Sequence, residues 1–220
     1  MSNTDTADGV PYPKPAYAWF VVAILVVASL VSYVDRQVLA LLVTPIRQDM
    51  GITDTQIGWL FSGFAIFYSL AGLPLAYLAD RDNRKWLVSI GIFAWSLMTV
   101  ACGLARNFWM LFAARIGVGF GEATLTPAAH SLIGDYFPRE KIPLAVGVFQ
   151  MSGTLGTGIA YTVGGSVVML LTGVPAVDAG PLGELQSWQL VFIAVGAPGA
   201  LVVLLMLLVR EPVRRGIIKA

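Results

Sequence analysis

Six long apolar stretches set the architecture of this chain. They lie near residues 17–43, 56–78, 86–105, 108–136, 141–172 and 188–209. Each is long enough to cross a bilayer core of about 30 Å, which requires roughly 20 helical residues. The stretches are continuously apolar rather than alternating, and this favours helices over barrel strands. Only 12% of the residues are charged, against about 25% in soluble domains. The sequence therefore predicts an all-α, polytopic membrane protein with six transmembrane helices.

Three regions are predicted along the chain. Residues 1–15 are polar and proline-rich and lack the features of a signal peptide, so we expect a disordered cytoplasmic tail. Residues 16–210 form the transmembrane bundle, and residues 211–220 begin a cytoplasmic loop. Within the bundle, helix 1 is expected to end near Pro45, the fourth stretch is expected to be one helix, and Gly196-Ala-Pro198-Gly199 predicts a kink in helix 6.

The distribution of basic residues predicts the orientation. The tail, the loops after helices 2 and 4 and the C-terminal stretch hold ten of them: Lys14, Arg81, Arg84, Lys85, Arg139, Lys141, Arg210, Arg214, Arg215 and Lys219. The opposite side holds Arg47 and Arg106. Because short cytoplasmic loops are enriched in Lys and Arg, both termini are predicted to be cytoplasmic, in an inner or plasma membrane.

Four charged residues interrupt the apolar stretches. Arg115 and Glu122 lie seven residues apart, which places them on nearly the same helix face, and three glycines separate them. Asp35 and Arg36 lie in the first stretch. Ionisable groups inside a membrane are costly and usually face a partner or a water-filled cavity. These four residues are therefore the predicted functional site, and the glycines are expected to allow close approach of another helix or a substrate.

Several classes of function are disfavoured by the sequence. A net charge of +1 argues against nucleic-acid binding. Cys102 is the single cysteine and His130 the single histidine, so neither a disulfide nor a multi-histidine metal site is expected. The chain has no phosphate-binding Gly-x-x-x-x-Gly-Lys-Ser/Thr loop and no hydrolase-like motif. We expect no enzyme activity, catalytic residue, metal or cofactor.

Several motifs resemble the major facilitator superfamily of transporters. Gly72-Leu-Pro-Leu-Ala-Tyr-Leu-Ala-Asp80-Arg81-Asp-Asn-Arg84-Lys85 is similar to the signature between helices 2 and 3 of that family, with Ala76 and Asn83 at two positions where the signature has glycine. The stretch Arg115-Ile-Gly-Val-Gly-Phe-Gly resembles the helix 4 motif of the family. Tyr33-Val-Asp35-Arg36 and Gly119-Phe-Gly121-Glu122-Ala-Thr resemble the spinster-like branch.

The resemblance implies one six-helix half of a major facilitator fold, whose substrate binds between two halves. The expected partners are the bilayer, protons, a small amphipathic or anionic substrate, and a C-terminal six-helix half or a second copy of this chain. The chain would be a fragment, or a half that pairs with another chain. The implied substrate is a lysophospholipid or sphingoid compound. The alternatives are an organic-anion or drug transporter, and an inactive half or membrane scaffold.

The hypothesis for coupling is a protonation switch. A carboxyl in low-dielectric surroundings holds a proton more readily unless a cation stabilises its charge. Asp35 and Arg115 lie at similar depths in neighbouring helices of the resembled fold and are a feasible pair, whereas Arg36 is expected to face Glu122 or an anionic head group. If Arg115 alternates between Asp35 and Glu122, proton binding selects one access state. The alternative is a static ion pair that orients the helices.

Two further groups of residues receive roles. Substrate contacts are assigned to Arg36, Tyr33, Phe64, Tyr68, Gln150 and Thr154, although helix packing explains the aromatic and small polar side chains equally well. By resemblance, Asp80, Arg81, Arg84 and Asp135 form a cytoplasmic gate that latches the two halves, the alternative being a solvated loop that sets topology. His130 is interpreted as a packing residue rather than a proton relay.

Overall fold

The computed structural model describes residues 11–172, 174–178, 180 and 183–215 of the chain. Residues 1–10, most of the predicted tail, lie outside the described residues. Residues 216–220 of the predicted loop also lie outside them. The elements are α1 (Pro15–Met50), α2 (Asp54–Arg81), α3 (Arg84–Gly103), α4 (Phe108–Glu122), α5 (Leu125–Tyr136), α6 (Ile142–Thr172), β1 (Val177–Asp178), β2 (Glu184–Leu185), α7 (Ser187–Gly196) and α8 (Pro198–Leu207).

Six membrane crossings follow from these elements. Five of them are helices long and apolar enough to span a membrane within the described residues: α1, α2, α3, α6 and the α7–α8 unit. The fourth crossing is made by α4 and α5 together, since each alone is shorter than a bilayer core requires. The predicted class, an all-α bundle of six transmembrane helices, is confirmed.

Helix 1 runs further than the sequence predicted. It passes through Pro45 and ends at Met50, so the expected end near Pro45 is wrong. Proline is tolerated within membrane helices because neighbouring groups satisfy the backbone that it leaves free. The actual stop is Gly51, whose φ of 63° is in the left-handed region and whose amide bonds to the Arg47 carbonyl.

The fourth crossing is broken, whereas the sequence predicted one helix from 108 to 136. The break falls at Ala123 and Thr124, between α4 and α5. Pro127 explains it, because proline has no amide hydrogen and its ring clashes with the carbonyl four residues earlier, that of Ala123. The Thr124 hydroxyl donates to the Gly121 carbonyl at 2.8 Å and satisfies part of the interrupted backbone.

Two local predictions from the sequence are confirmed. The predicted kink in the sixth crossing is present as the break between α7 and α8 at Ala197, directly before Pro198. The predicted capping box at the start of α2 is also present. The Thr53 side chain accepts from the Gln56 amide, and the Gln56 side chain accepts from the Thr53 amide.

The core lies where α1, α3, α4, α5 and α7 meet. Its largest fully buried apolar side chains are Trp95, Phe192, Leu25, Leu39, Leu42, Ile46, Leu60, Ile92, Leu111 and Leu132. α1 packs mainly on α6, and α3 packs on α4, α7 and α8. In contrast, α2 and α6 each present a largely exposed apolar face, which includes Leu73 and Met169. We call the end of the bundle that holds Lys14, Arg84 and Arg210 the basic end.

Candidate functional site

The close approach predicted for the glycines of α4 is present. A side-chain carbon added at Gly119 would lie 2.8 Å from the backbone oxygen of Phe64, and one added at Gly121 would lie 2.8 Å from the backbone nitrogen of Trp95. Neither backbone atom moves readily, so both positions require glycine. These contacts seat α4 against α2 and α3 and bury Arg115 and Glu122, each 1% exposed.

Glu122 is the acceptor of a buried ion pair. Its Oε2 atom lies 2.5 Å from Nε of Arg36 and also accepts from the Ser32 hydroxyl at 2.8 Å. The Glu122 side chain is 0% exposed, while 27% of the Arg36 side chain is exposed. The pair joins α1 to α4. It is one of the two arrangements that the sequence left open for Arg36.

Three aromatic rings surround the Arg36 guanidinium. Its central carbon lies 4.6 Å from the ring centre of Tyr68 and 5.5 Å from those of Tyr33 and Phe64. The Phe64 ring also lies 5.0 Å from the guanidinium carbon of Arg115. Cations over ring faces gain an attraction of about 0.5–2 kcal/mol each. The rings hold Arg36 in place while its edge stays accessible.

Asp35 and Arg115 do not form the predicted ion pair. Arg115 Nη1 donates instead to the backbone carbonyl of Asp35, at 3.4 Å. Both carboxyl oxygens of Asp35 are buried without a hydrogen bond of regular geometry in the described part of the chain, although the Thr99 hydroxyl on α3 lies beside them. The Arg115 guanidinium is nonetheless close enough to the Asp35 carboxyl for an electrostatic attraction.

A small pocket of about 50 Å³ opens at this site. It is lined by the Arg36–Glu122 pair, by Tyr33, Tyr68 and Gln150, and by hydroxyl residues of α1, α5 and α6. Phe64 and Thr154, also predicted to contact substrate, are not among its lining residues. Phe64 reaches the site through its ring contacts with the two arginines. Thr154 lies on an exposed part of α6.

The predicted gate residues separate into two groups at the basic end. Arg84 is 1% exposed, forms an ion pair with Asp135, and also lies 2.7 Å from Glu211 through its Nε. Asp80 and Arg81 are exposed, and Arg81 lies over the Tyr77 ring at 4.3 Å. Arg84 and Asp135 therefore tie α3 to α5 and to the chain after α8, within this bundle.

Sequence reasoning missed Ser32, Thr99 and Glu211. Ser32 lies one helical turn before Arg36, so the four-residue spacing on α1 was an available signal. Thr99 lies in an uncharged stretch, and only the tertiary fold brings it beside Asp35 of α1. Glu211 follows the last helix, and its contact with Arg84 spans 127 residues of sequence, which no local pattern encodes.

His130 is positioned as a packing residue. Its Nδ1 atom lies 2.9 Å from the Thr126 carbonyl, and its ring meets Phe149 edge-on with centres 5.6 Å apart. Over the described ranges, no group of three or more His, Cys, Asp or Glu side chains is arranged to hold a metal ion.

Six crossings around a buried ionic site define a polytopic membrane protein. Residues 25–220 match the Major Facilitator Superfamily, and the chain belongs to this family of membrane transporters. The six-helix bundle is thus half of a transporter fold, as the sequence motifs predicted. Members of this family are transporters rather than enzymes.

Relatives and solved structures also agree with the spinster-like branch. The chain is 29% identical to the protein spinster of Drosophila melanogaster over 89% of its length, and 37% identical to the sphingosine-1-phosphate transporter SPNS2 of Mus musculus over 66%. It is also 28% identical to a probable L-galactonate transporter of Escherichia coli over 80%. These matches cover 30%, 27% and 36% of the three relatives.

A crystal structure of a bacterial homologue of the human lysosomal transporter Spinster, in an inward-facing and unoccupied conformation, superposes with a TM-score of 0.80. It is 35% identical to this chain and is matched over 92% of this chain and 45% of that protein. The predicted resemblance to the spinster-like branch is confirmed. The chain therefore spans less than half the length of each of these relatives.

Proposed function

We propose that this chain is the N-terminal half of a proton-coupled secondary transporter that moves an amphipathic lipid, such as a lysophospholipid or sphingoid compound. Asp35, Glu122 and Arg115 carry the proton coupling, and Arg36 with its aromatic neighbours contacts the substrate. The observation that carries the proposal is the uneven pairing of four intramembrane charges. Glu122 has an arginine partner at 2.5 Å, whereas the equally buried Asp35 carboxyl has no ion-pair partner among the residues that the structure describes.

This unevenness supports proton binding at Asp35. Burying an unpaired carboxylate away from water costs roughly several kcal/mol of free energy. Protonation of the carboxyl removes the charge and avoids that cost. When Asp35 loses its proton, Arg115 is the adjacent cation, and its Nε atom has no hydrogen-bond partner among the residues described. The guanidinium then turns from the Asp35 carbonyl towards the carboxylate. Such a turn changes the contact between α1 and α4 and gives protonation a means to favour one access state.

The surroundings of Arg36 support an anionic substrate with an apolar part. Its guanidinium is the partly exposed cation of the site, and it is bordered by the rings of Tyr33, Phe64 and Tyr68. An anionic head group pairs with the guanidinium, and an apolar chain packs on the rings. Substrate binding also competes with Glu122 for Arg36, which links the substrate to the second carboxylate.

A second candidate is the transport of a small organic anion. The same exposed guanidinium favours it, and two galactonate transporters of Escherichia coli are among the relatives, at 28% and 30% identity. The two candidates differ in their need for the aromatic rings. Competition by a lysophospholipid supports the first candidate, and competition by a hexonate supports the second.

The proposed setting is an inner or plasma membrane with both termini cytoplasmic. The excess of Lys and Arg at the basic end supports this orientation. The exposed apolar faces of α2 and α6 are the proposed contact with a second six-helix half, which is either a C-terminal half or a second copy. Asp80 and Arg81, exposed at the basic end, are the proposed gate contacts to that half, and Arg84 with Asp135 positions the loop that carries them.

Uptake into proteoliposomes tests the proposal. The native membrane protein that carries this chain is reconstituted with and without a pH gradient, and Asp35→Asn and Glu122→Gln are compared with the exposed control Asp54→Asn. Gradient-driven uptake is expected to be lost in the first two variants and kept in the control. Infrared titration of the carboxyl stretching band gives a second readout that needs no transport, since Asp35→Asn is expected to remove one titrating band. Unchanged coupling in both variants would contradict the proposed switch.

A further inference from the structure

A second cavity lies at the basic end, far from the charges of the membrane interior. Its volume is about 610 Å³, and it lies between the chain that precedes α1 and the chain that follows α8. Its lining includes Lys14, Tyr17, Tyr136, Leu208, Arg210 and Val213. We propose that this cavity binds the head group of an anionic phospholipid of the cytoplasmic leaflet. The choice of leaflet rests on the proposed orientation.

Hydrogen bonds fix the cavity walls. The Tyr17 hydroxyl accepts from the Arg210 amide at 2.9 Å and donates to the Leu208 carbonyl at 3.1 Å. The Tyr136 hydroxyl donates to the Arg210 carbonyl. On the far side, Arg215 donates to the Pro11 carbonyl at 2.9 Å. The chain after α8 is therefore held to α1 and α5 through its backbone, and the Arg210 side chain takes no part in that support.

The charge lining the cavity is uncompensated. Lys14 and Arg210 are exposed, and neither side chain has an ion-pair partner within the described part of the chain. Glu211 is the carboxylate in the lining, and both of its oxygens are occupied: one lies 2.7 Å from Arg84 Nε, and the other accepts from the Lys85 amide at 2.9 Å. The third basic residue of the lining, Arg215, donates to the Pro11 carbonyl and lies over the Tyr12 ring. Lys14 and Arg210 are therefore the cations that the cavity offers to an incoming anion.

The apolar lining distinguishes a lipid from a free anion. Leu208 is 59% exposed and Val213 is 53% exposed, and prolines form much of the remaining wall. Such a wall gives no advantage to inorganic phosphate, whereas it packs against the glycerol and the first methylenes of a lipid. The cavity also lies where α1 begins and α8 ends, the depth at which tyrosines and basic residues meet lipid head groups. Charge and apolar surface together fit an anionic phospholipid.

A neighbouring cavity provides a matched control. It has a volume of about 390 Å³ and is lined by Lys141 but not by Arg210, whereas the first cavity is lined by Arg210 but not by Lys141. Arg210→Ala and Lys141→Ala therefore each remove one cation from the same end of the bundle and from different cavities. Lys14 lines both cavities, so Lys14→Gln removes a cation that the two cavities share, and Arg210→Gln is the second variant specific to the first cavity should Arg210→Ala fail to fold.

Lipid binding to the purified native membrane protein that carries this chain is measured by native mass spectrometry with phosphatidylglycerol and with phosphatidylcholine of the same acyl chains. A cation near an anionic lipid surface contributes about 1 kcal/mol, which is about fivefold in affinity. Phosphatidylglycerol is expected to bind more tightly than phosphatidylcholine. Arg210→Ala is expected to weaken it about fivefold, Lys14→Gln to a similar extent, and Lys141→Ala not at all.

Three results would overturn the assignment. Equal weakening by Arg210→Ala and Lys141→Ala would indicate attraction to the whole basic surface rather than binding in this cavity. Equal binding of the two lipids would show that the charge of the head group does not contribute to binding. Displacement of the lipid by an equal concentration of inorganic phosphate would indicate a site for a free anion. Since no variant alters Asp35, Arg36, Arg115 or Glu122, failure here is distinguishable from failure of the proposed transport mechanism.

Discussion

Neutralising Arg36 and neutralising Glu122 are expected to lower the free energy of unfolding by different amounts. Breaking a buried pair by removing one partner costs about 3–5 kcal/mol, because the remaining charge is buried without compensation. Arg36→Gln leaves the fully buried Glu122 carboxylate with the Ser32 hydroxyl as its remaining donor. We therefore expect this variant to lose about 3–5 kcal/mol in the free energy of unfolding.

Glu122→Gln is expected to cost less. The arginine that remains is 27% exposed and lies within 5.5 Å of three ring centres. Water and the rings both stabilise its charge, so the loss should be about 1–2 kcal/mol. The double variant should cost less than the sum of the single changes, since neither partner is left charged and alone.

Unfolding in mixed micelles, driven by added dodecyl sulfate and followed by circular dichroism, measures these free energies. The control is the exposed pair Arg47–Asp54, whose atoms lie 2.7 Å apart and whose side chains are 54% and 79% exposed. Its coupling energy should be about 0–1 kcal/mol. The reasoning is refuted if Glu122→Gln costs as much as Arg36→Gln, or if the buried pair shows no more coupling than the control.

Two further changes test the packing of the bundle. Gly121→Ala should lower the free energy of unfolding by about 1–3 kcal/mol, because the new methyl group meets the backbone of Trp95 at 2.8 Å. Gly134→Ala on α5 has no atom within 4 Å of the added carbon and should be neutral or stabilising by up to about 1 kcal/mol in the same micelle titration. At the basic end, Arg84→Gln should lower the melting temperature much more than Arg81→Gln, since it leaves two carboxylates without their buried partner. Equal shifts would mean that Arg84 does not hold this end together.

The membrane helices were predictable because their signal is local. Hydropathy over about 20 residues identifies a crossing whatever its neighbours are, and the cap at Thr53 depends on residues only three apart. The end of α1 and the break after Glu122 were harder to predict. In a membrane helix a proline interrupts the structure only where the surroundings allow it, and so Pro45 lies within α1 whereas Pro127 follows a break.

The partners of the charged residues were only partly predictable. The sequence places Asp35 and Arg36 about 100° apart on one helix, which shows that they face different neighbours. The sequence does not determine how α1 is rotated relative to α3 and α4. This rotation allows Arg36 to pair with Glu122 and places the Asp35 carboxyl beside Thr99. The roles assigned to these residues in coupling and substrate binding stay predictions.

The state of Asp35 bears on the choice between a static ion pair and a switch. A pair that merely orients helices is complete with Arg36 and Glu122, which already join α1 to α4. Among the residues that the structure describes, the Asp35 carboxyl has no hydrogen bond of regular geometry and the Nε atom of Arg115 has no partner, and in a static pair both add only cost. A scaffold would be more stable with apolar side chains at both positions. In a switch, by contrast, one carboxyl has to be unpaired in one state so that it binds a proton there and attracts a cation in the other. The arrangement of Asp35 and Arg115 meets that requirement, and this is the physical reason to prefer a transporting half over an inert one.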